Sequence, residues 1–309
     1  MRELKEATID SVRINFDSEG LWVLNIALGL VMFGIALEIS IHDFKHLLRK
    51  PKPIFTGVFS QFLVLPALTF LLVIWLQPLP SVALGMFMVA ACPGGNISNF
   101  ITHLAKGNAA LSVSLTAVAT LLAIFMTPFN LQFWGAFYEP TSVILEEVAI
   151  SPLEMVQLVA MLLGVPLLMG MWVNHKKPVL AKKMAKVLKI VSLLFFVGLI
   201  FIALYNNRDI FMDYVFYILG IVILHNIIAF TTGFSIAKLM RLEPKDVKSI
   251  TIETGIQNSG LGLLLIFTFF DGMGGMAILT AFWGIWHLIS GLILAGFWGY
   301  KPLKKEELA

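Results

Sequence analysis

Long apolar stretches are the feature that most constrains how this chain can fold. Each is dominated by Leu, Ile, Val, Phe, Ala, Gly and Met, and we find nine, at roughly 21–38, 53–76, 81–105, 109–129, 153–173, 188–205, 213–237, 249–270 and 276–299. An apolar stretch of about 18 residues is long enough to cross a bilayer as a helix. Only 13% of the 309 residues are charged, whereas soluble domains carry roughly 25%. The pattern predicts an all-α polytopic membrane protein with nine transmembrane helices.

The basic residues indicate which ends of these spans face the cytoplasm. Of the 22 Lys and Arg residues, all but four lie in one set of connections and in the C-terminal tail. These connections are 39–52, the tight turn at 106, 174–189 and 238–248. The four exceptions are Arg2, Lys5, Arg13 and Arg208. Basic side chains beside a span remain in the cytoplasm during insertion. We therefore predict an N-terminus outside and a C-terminus in the cytoplasm, which agrees with an odd number of spans.

Two of the nine spans are interrupted by proline, glycine and polar residues. The third contains CPGGNISN at 92–99, and the eighth contains ETGIQNSGL at 253–261. Proline lacks an amide donor and glycine is flexible, so both weaken a helix. Unwound backbone in hydrocarbon costs several kcal/mol per unpaired group unless protein or water covers it. Its carbonyls can instead replace the water shell of a cation, and two such interruptions in matching places indicate a secondary transporter.

The two interrupted spans occupy equivalent places in the two halves of the chain. Spans one to four align with spans six to nine after a shift of five, and an odd shift reverses the direction through the membrane. We therefore predict an inverted repeat, with 21–129 as the first, incomplete repeat and 153–299 as the second. Residues 1–20 lack the apolar core of a signal peptide. They are interpreted as a lead-in, and residues 300–309 as a cytoplasmic tail.

Few ionisable side chains lie within the predicted spans. Glu253 is the only carboxylate well inside one, and His225 and His287 are the only central histidines. A charge at the bilayer centre costs about 2.5–3.5 kcal/mol on insertion scales, so a functional role is the first hypothesis for Glu253. The alternative is that Glu253 snorkels to the cytoplasmic edge near Lys248. For each histidine the alternative is a packed side chain bonded to a neighbouring helix.

Both interruption motifs resemble the crossover motifs of the bile acid:sodium symporter family. The resemblance runs from about Ile14 to Lys305 and includes AKGNAALSVSLTAVAT at 105–120, ILHNII at 223–228 and WHLISG at 286–291. It implies an inverted-repeat fold with a panel domain and a core domain, and nine helices in members that lack the first. It also implies sodium-driven import of amphipathic organic anions, such as bile acids, by alternating access. For a bacterial member, the location is the inner membrane.

The resemblance further implies two sodium sites and a substrate cavity. The first sodium pattern falls on Ser98, Asn99, Ser112, Thr116 and Glu253. The second falls on Gln61, Glu253, Gln257 and the main-chain carbonyls of Thr254 and Ile256. The positions that face the substrate are Asn96, Asn258 and His287. All the proposed ligands are oxygen atoms, which hard cations prefer. Without the resemblance, the simpler interpretation is that the Ser112 and Thr116 hydroxyls form hydrogen bonds between helices.

One departure from the family bears on the substrate. The family often has Asn after the histidine of its WHN motif, whereas this chain has Leu288. A hydrogen bond from that amide to the substrate is therefore missing. Sodium binding is implied more firmly than bile acid as the cargo.

Two other functions compete with a sodium symporter. A carrier of another small anion or a metalloid on the same fold would use Cys92, the single cysteine, as a thiolate. An intramembrane enzyme or a receptor belongs to a different class. The chain has no His-Glu-x-x-His zinc pattern, no serine nucleophile elbow and no second intramembrane carboxylate to pair with Glu253. We therefore expect no enzyme, no cofactor besides sodium and no nucleic-acid partner.

Overall fold

The described part of the chain is helical throughout, apart from one isolated β-bridge. The computed structural model describes residues 9–10, 26, 29–30, 32–34, 36–38, 51–95, 97–148, 151–206 and 208–300. The helices are α1 (Pro51–Phe59, Ser60–Val64 and Leu65–Leu76), α2 (Pro80–Ala91), α3 (Ile97–Leu104), α4 (Ala109–Ala136), α5 (Glu139–Val148), α6 (Pro152–Val159, Ala160–Gly164 and Val165–Lys176), α7 (Pro178–Asn206), α8 (Arg208–Leu239), α9 (Pro244–Gly255), α10 (Ser259–Phe269) and α11 (Gly274–Tyr300). The predicted lead-in, first span and tail fall largely outside the described residues.

Five stretches in the described residues are long and apolar enough to cross a membrane. They are Pro51–Leu76, Ala109–Ala136, Leu153–Lys176, Tyr214–Leu239 and Gly274–Gly299, and they match the second, fourth, fifth, seventh and ninth predicted spans. The third and eighth predicted spans are each divided into two shorter helices, α2 with α3 and α9 with α10. The polytopic helical class is confirmed, as are both interruptions. The total of nine spans and the inverted repeat stay predictions.

Helices α1 and α6 each contain one π-helical turn, at Ser60–Val64 and Ala160–Gly164. In both helices a proline, Pro66 or Pro166, stands two residues after the turn. Proline has no amide proton, and its ring would collide with the carbonyl four residues earlier in a regular α-helix. A widened turn accommodates this collision. In α1 the widened turn contains Gln61, which is therefore part of an irregular segment at the centre of the molecule.

Helix α2 lies at the centre of the main core. All its residues from Ser81 to Ala91 are buried, and a helix that is apolar on every side is one that other helices surround. It packs against α1, α4, α10 and α11, and the main core that contains it includes the fully buried Trp283 of α11. The interruption after α2 is consequently surrounded by protein, as unwound backbone at membrane depth requires.

Candidate functional site

The two interrupted spans meet at their interruptions, a place that we call the crossing (residues 92–95 and 256–258). The Gly95 amide donates to the Ile256 carbonyl at 2.7 Å, and the Asn258 amide donates to the Pro93 carbonyl at 2.9 Å. Gly94 and Gln257 form an antiparallel bridge. These bonds pair the main-chain groups that the two helix breaks would otherwise leave unpaired in a low-dielectric interior.

Glycine is required at both positions of the first interruption because the chains approach closely. A Cβ atom on Gly95 would lie 2.8 Å from the carbonyl oxygen of Gln257, which is main chain and cannot turn away. A Cβ atom on Gly94 would collide with the Glu253 carboxylate. The PGG sequence thus does more than break a helix, since it also leaves the space in which the second interruption sits.

Beside the crossing lies a group that we call the Glu253 cluster: Ser98, Asn99, Ser112, Thr116 and Glu253. Ser98 Oγ donates to Glu253 Oε2 at 2.5 Å, and Thr116 Oγ1 donates to Glu253 Oε1 at 2.8 Å. Ser112 Oγ lies 3.5 Å from Oε2. Asn99 Oδ1 is 3.3 Å from Thr116 Oγ1. The structure therefore brings together all five residues of the first predicted sodium pattern, from α3, α4 and α9.

The Glu253 carboxylate is buried without a basic partner among the described residues. Its side chain is only 3% exposed. Lys248, one turn earlier on α9, donates its Nζ to the Ala105 carbonyl at 3.0 Å. The alternative that Glu253 snorkels to the cytoplasmic edge beside Lys248 is therefore wrong. A buried carboxylate that receives only hydroxyl donors is incompletely compensated, which fits a cluster that holds a cation.

A second group at the crossing is the Gln61 cluster, comprising Gln61, Gln257 and the carbonyls of Cys92, Thr254 and Ile256. Gln61 Nε2 donates to Cys92 O at 2.8 Å and to Gln257 Oε1 at 2.7 Å. Gln257 Nε2 donates to Thr254 O at 2.7 Å. Gln61 Oε1 is buried and has no hydrogen-bond partner among the residues that the structure describes. Gln61, Gln257 and the Thr254 carbonyl of the second predicted sodium pattern are thus bonded together. The Ile256 carbonyl accepts from the Gly95 amide instead, and Glu253 is bonded within the Glu253 cluster.

The three residues predicted to face the substrate differ in what the structure shows of them. Asn96 lies outside the described residues. Asn258 caps α10, since its Oδ1 accepts from the Leu261 amide at 3.1 Å, as expected for an asparagine that starts a helix. His287 is 6% exposed, and its Nδ1 has no partner. Two polar residues near them, Asn226 and Ser290, were not singled out from the sequence, although both belong to motifs that match the family.

His225 and Cys92 are both buried and packed against neighbouring helices. The Nε2 atom of His225 is 2.7 Å from Thr69 Oγ1, and the His225 ring lies edge-on to Trp283 with centroids 4.6 Å apart. This is the packed histidine bonded to a neighbouring helix. Cys92 is fully buried in the main core. Its burial gives no support to a carrier that would use an accessible thiolate.

Comparison with known proteins shows the family of this chain. The model of the Sodium Bile acid symporter family matches residues 25–214, which is more than half of the chain. The chain belongs to the sodium bile acid symporter family. The matched residues include the first interruption at 92–99, whereas the second interruption at 253–261 lies beyond them.

Several relatives resemble this family member over most of its length. The "Uncharacterized sodium-dependent transporter YocS" of Bacillus subtilis (strain 168) is 35% identical over 295 residues, which are 94% of this chain and 88% of the relative. The "Probable sodium/metabolite cotransporter BASS1, chloroplastic" of Arabidopsis thaliana is 29% identical over 287 residues, 93% of this chain and 69% of the relative. The ileal sodium/bile acid cotransporter of Mus musculus is 30% identical over 241 residues, 77% and 67% respectively.

These relatives are transporters and not enzymes, as we expected for this chain. The family is one of sodium symporters, so sodium is a co-substrate. The apolar helices and the family together make the chain an integral membrane protein.

Proposed function

We propose that this family member is a symporter that couples sodium entry to the import of an amphipathic organic anion. The observation that carries the proposal is the Glu253 cluster. A carboxylate with hydroxyl donors on both oxygens, and no basic partner in the described residues, has the composition of a site for a hard monovalent cation. Sodium supplies the missing positive charge and enters with the substrate.

We propose two sodium positions that share Glu253. One uses the Glu253 cluster, with ligands from Ser98, Asn99, Ser112 and Thr116. The other uses the Gln61 cluster, with Gln61 Oε1, Gln257 and the carbonyls of Thr254 and Ile256. A single negative charge between two cations favours the binding of both, because charges interact strongly where the dielectric is low. The unpartnered Gln61 Oε1 supports the second position.

The crossing supports transport by alternating access. Its antiparallel bridge agrees with the prediction that the third and eighth spans run in opposite directions, as in an inverted repeat. We propose that 21–129 and 153–299 form that repeat and together supply a panel and a core domain. Sodium binding stabilises the crossing, and the substrate cavity then forms next to it. We propose that the N-terminus lies outside, the C-terminus lies in the cytoplasm and the membrane is a bacterial inner membrane.

The proposed cargo is an organic anion, and its detailed chemistry is broader than bile acids. Asn258 and His287 supply polar groups, and the family resemblance adds Asn96 to them. Leu288 provides no amide where the family often has one. The names of the relatives refer to bile acids for the mouse protein and to metabolites for the plant protein. A carboxylated or sulfated molecule with an apolar body is consistent with the cargoes that these names give. Its apolar body could also pack against the apolar helices around the site.

Uptake by proteoliposomes tests this function. The panel comprises a conjugated bile salt, a sulfated steroid and small carboxylates, each with an inward gradient of NaCl or of KCl. We expect uptake of at least one anion in NaCl alone. In Glu253→Gln, which keeps the shape but removes the charge, we expect uptake to fall roughly 100-fold, because loss of one member of a buried ion pair is strongly destabilising.

The matched control is Glu146→Gln, since Glu146 is exposed on α5. It should transport like the unmodified protein. Equal uptake in NaCl and KCl for every anion that is taken up would contradict sodium coupling. Persistent sodium-driven uptake in Glu253→Gln would contradict the role of Glu253.

A further inference from the structure

The final carbonyl of α9 is held by a side chain from α8. Gly255 ends α9, and the last carbonyls of a helix have no partner within it. Asn226 Nδ2 donates to the Gly255 carbonyl at 2.8 Å, and Asn226 is only 1% exposed. Gly255 lies between Thr254 and Ile256, whose carbonyls belong to the Gln61 cluster. Asn226 therefore fixes the peptide between two carbonyls that we propose as sodium ligands.

The other end of the same amide reaches α11. Ser290 Oγ donates to Asn226 Oδ1 at 2.7 Å. Its separation from the His287 carbonyl is longer, 3.3 Å, so the bond to Asn226 is the stronger of the two. Ser290 follows His287 by three residues and therefore lies on the same face of α11. One buried amide thus connects the sodium side of the crossing with the turn that carries His287.

Polar contacts between membrane helices often serve only to hold the helices together. The Asn226 contact differs from that general case in where its two ends fall. Its donor binds the peptide at the proposed sodium ligands, and its acceptor binds the turn of a predicted substrate residue. Because a hydrogen bond weakens steeply with distance and angle, a change in the Gly255 peptide alters how Asn226 holds Ser290.

We propose that Asn226 and Ser290 are positioning residues that couple sodium binding at the crossing to the order of the substrate-side turn of α11. The inference rests on the proposed sodium position in the Gln61 cluster. Sodium orders the carbonyls of Thr254 and Ile256, and this fixes the Gly255 peptide between them. Asn226 then holds Ser290, and the turn 286–291 becomes ordered before substrate arrives.

Hydrogen–deuterium exchange of the purified full-length protein tests this coupling without a known substrate. The protein is compared in NaCl and in KCl at equal ionic strength. We expect NaCl to slow exchange in peptides covering 253–262 and also in peptides covering 284–296, by roughly fivefold or more, the lower end of measured allosteric couplings. In Ser290→Ala, protection of 253–262 by sodium should remain and protection of 284–296 should disappear.

Three further variants separate coupling from mere packing. Ser290→Thr keeps the hydroxyl and should restore protection of 284–296. Asn226→Leu removes both bonds at similar volume and should lose that protection, as a second test independent of Ser290. Thr232→Val is the control, since Thr232 Oγ1 bonds only its own helix, at Ile228 O. It should behave like the unmodified protein.

The outcomes distinguish this inference from the proposed function. If Ser290→Ala and Asn226→Leu both keep sodium protection of 284–296, the coupling is overturned and the sodium sites stand. The coupling is also overturned if, in the unmodified protein, sodium slows exchange in 253–262 but not in 284–296. If NaCl does not protect 253–262 in the unmodified protein, the proposed sodium sites themselves are overturned, and the coupling with them.

Discussion

The Glu253 cluster and the Gln61 cluster lie at the same crossing but are built in different ways. In the first, one carboxylate is approached by three hydroxyl groups from two helices, α3 and α4. In the second, neutral amides bond to each other and to main-chain carbonyls. The Glu253 cluster therefore contains the full negative charge that both proposed sodium positions share, whereas the residues of the Gln61 cluster itself contribute only dipoles.

This difference predicts how each cluster responds to sodium. The hydroxyls around Glu253 can rotate and turn their oxygens to a cation, so the charge can be compensated with little movement of the main chain. In the Gln61 cluster the Gln257 amide already occupies the Thr254 carbonyl, and a cation must share that oxygen or displace the amide. We expect charge to dominate affinity in the first cluster and main-chain geometry to dominate in the second.

Gly95→Ala should have the largest effect, because it disturbs both clusters at once. The added methyl would lie 2.8 Å from the Gln257 carbonyl oxygen, and overpacking of this kind costs about 1–3 kcal/mol. It must push the two interrupted spans apart. We expect sodium-driven uptake to be lost and the rise in melting temperature that NaCl gives over KCl to disappear.

The control is Gly220→Ala on α8, where an added methyl meets nothing within 4 Å. It should leave both uptake and the sodium effect on melting unchanged. If Gly95→Ala transported within about twofold of the unmodified protein, the close approach at the crossing would not matter for either cluster.

Thr116→Val should have the next largest effect, and it acts on the Glu253 cluster alone. It removes the hydroxyl 2.8 Å from Glu253 Oε1 and preserves the side-chain volume. A hydrogen bond to a charged group contributes about 1.5–3 kcal/mol, so the sodium concentration for half-maximal uptake should rise roughly tenfold or more. Thr120→Val is the matched control, one turn along α4, because Thr120 Oγ1 donates to the Thr116 carbonyl. Equal effects of the two variants would argue against a direct role for the Thr116 hydroxyl.

Gln61→Leu tests the neutral cluster and should have a smaller effect on affinity. Bonds between neutral groups contribute about 1 kcal/mol each, so we expect a rise of roughly fivefold in the half-saturating sodium concentration. The sodium dependence should also become less steep, with a Hill coefficient near one, because only the Glu253 cluster still binds. Gln157→Leu, at an exposed position of α6, is the control. A steepness unchanged from the unmodified protein would mean that the Gln61 cluster is not a sodium position.

The residues of both clusters could be predicted from the sequence, while their bonding could not. The interruptions at 92–99 and 253–261 are visible as polar residues within apolar spans, and the family resemblance added residues from other helices. Lys248 illustrates the limit. Its proximity in sequence suggested that Glu253 snorkels to the cytoplasmic edge. On a helix, however, side chains five residues apart point in different directions, and Glu253 is buried while Lys248 donates to the Ala105 carbonyl.

Two further features depended on tertiary packing that sequence patterns do not encode. The π-helical turn around Gln61 has a local cause in Pro66, but the burial of Gln61 against the crossing needs the interrupted span to lie beside α1. Asn226 has an ordinary place in an apolar helix, and only the structure shows that the two ends of its amide reach α9 and α11.

The boundaries of the helices also differ from those predicted. Helix α7 begins at Pro178, whereas the sixth span was predicted from 188, because the lysine-rich segment before the apolar run is itself helical.

Thr254→Val should have the smallest effect and sharpens the distinction between side chain and main chain in the Gln61 cluster. Thr254 Oγ1 is buried without a hydrogen-bond partner, whereas the Thr254 carbonyl accepts from Gln257 Nε2. Because valine keeps the main chain and the volume, the carbonyl stays in place and an unpaired hydroxyl is removed. We expect the half-saturating sodium concentration to stay within about twofold and the melting temperature to be equal or higher, since an unsatisfied buried polar group is unfavourable. A change as large as that of Thr116→Val would instead make the Thr254 hydroxyl a sodium ligand, and the second cluster would then bind sodium through a side-chain hydroxyl, as the first does.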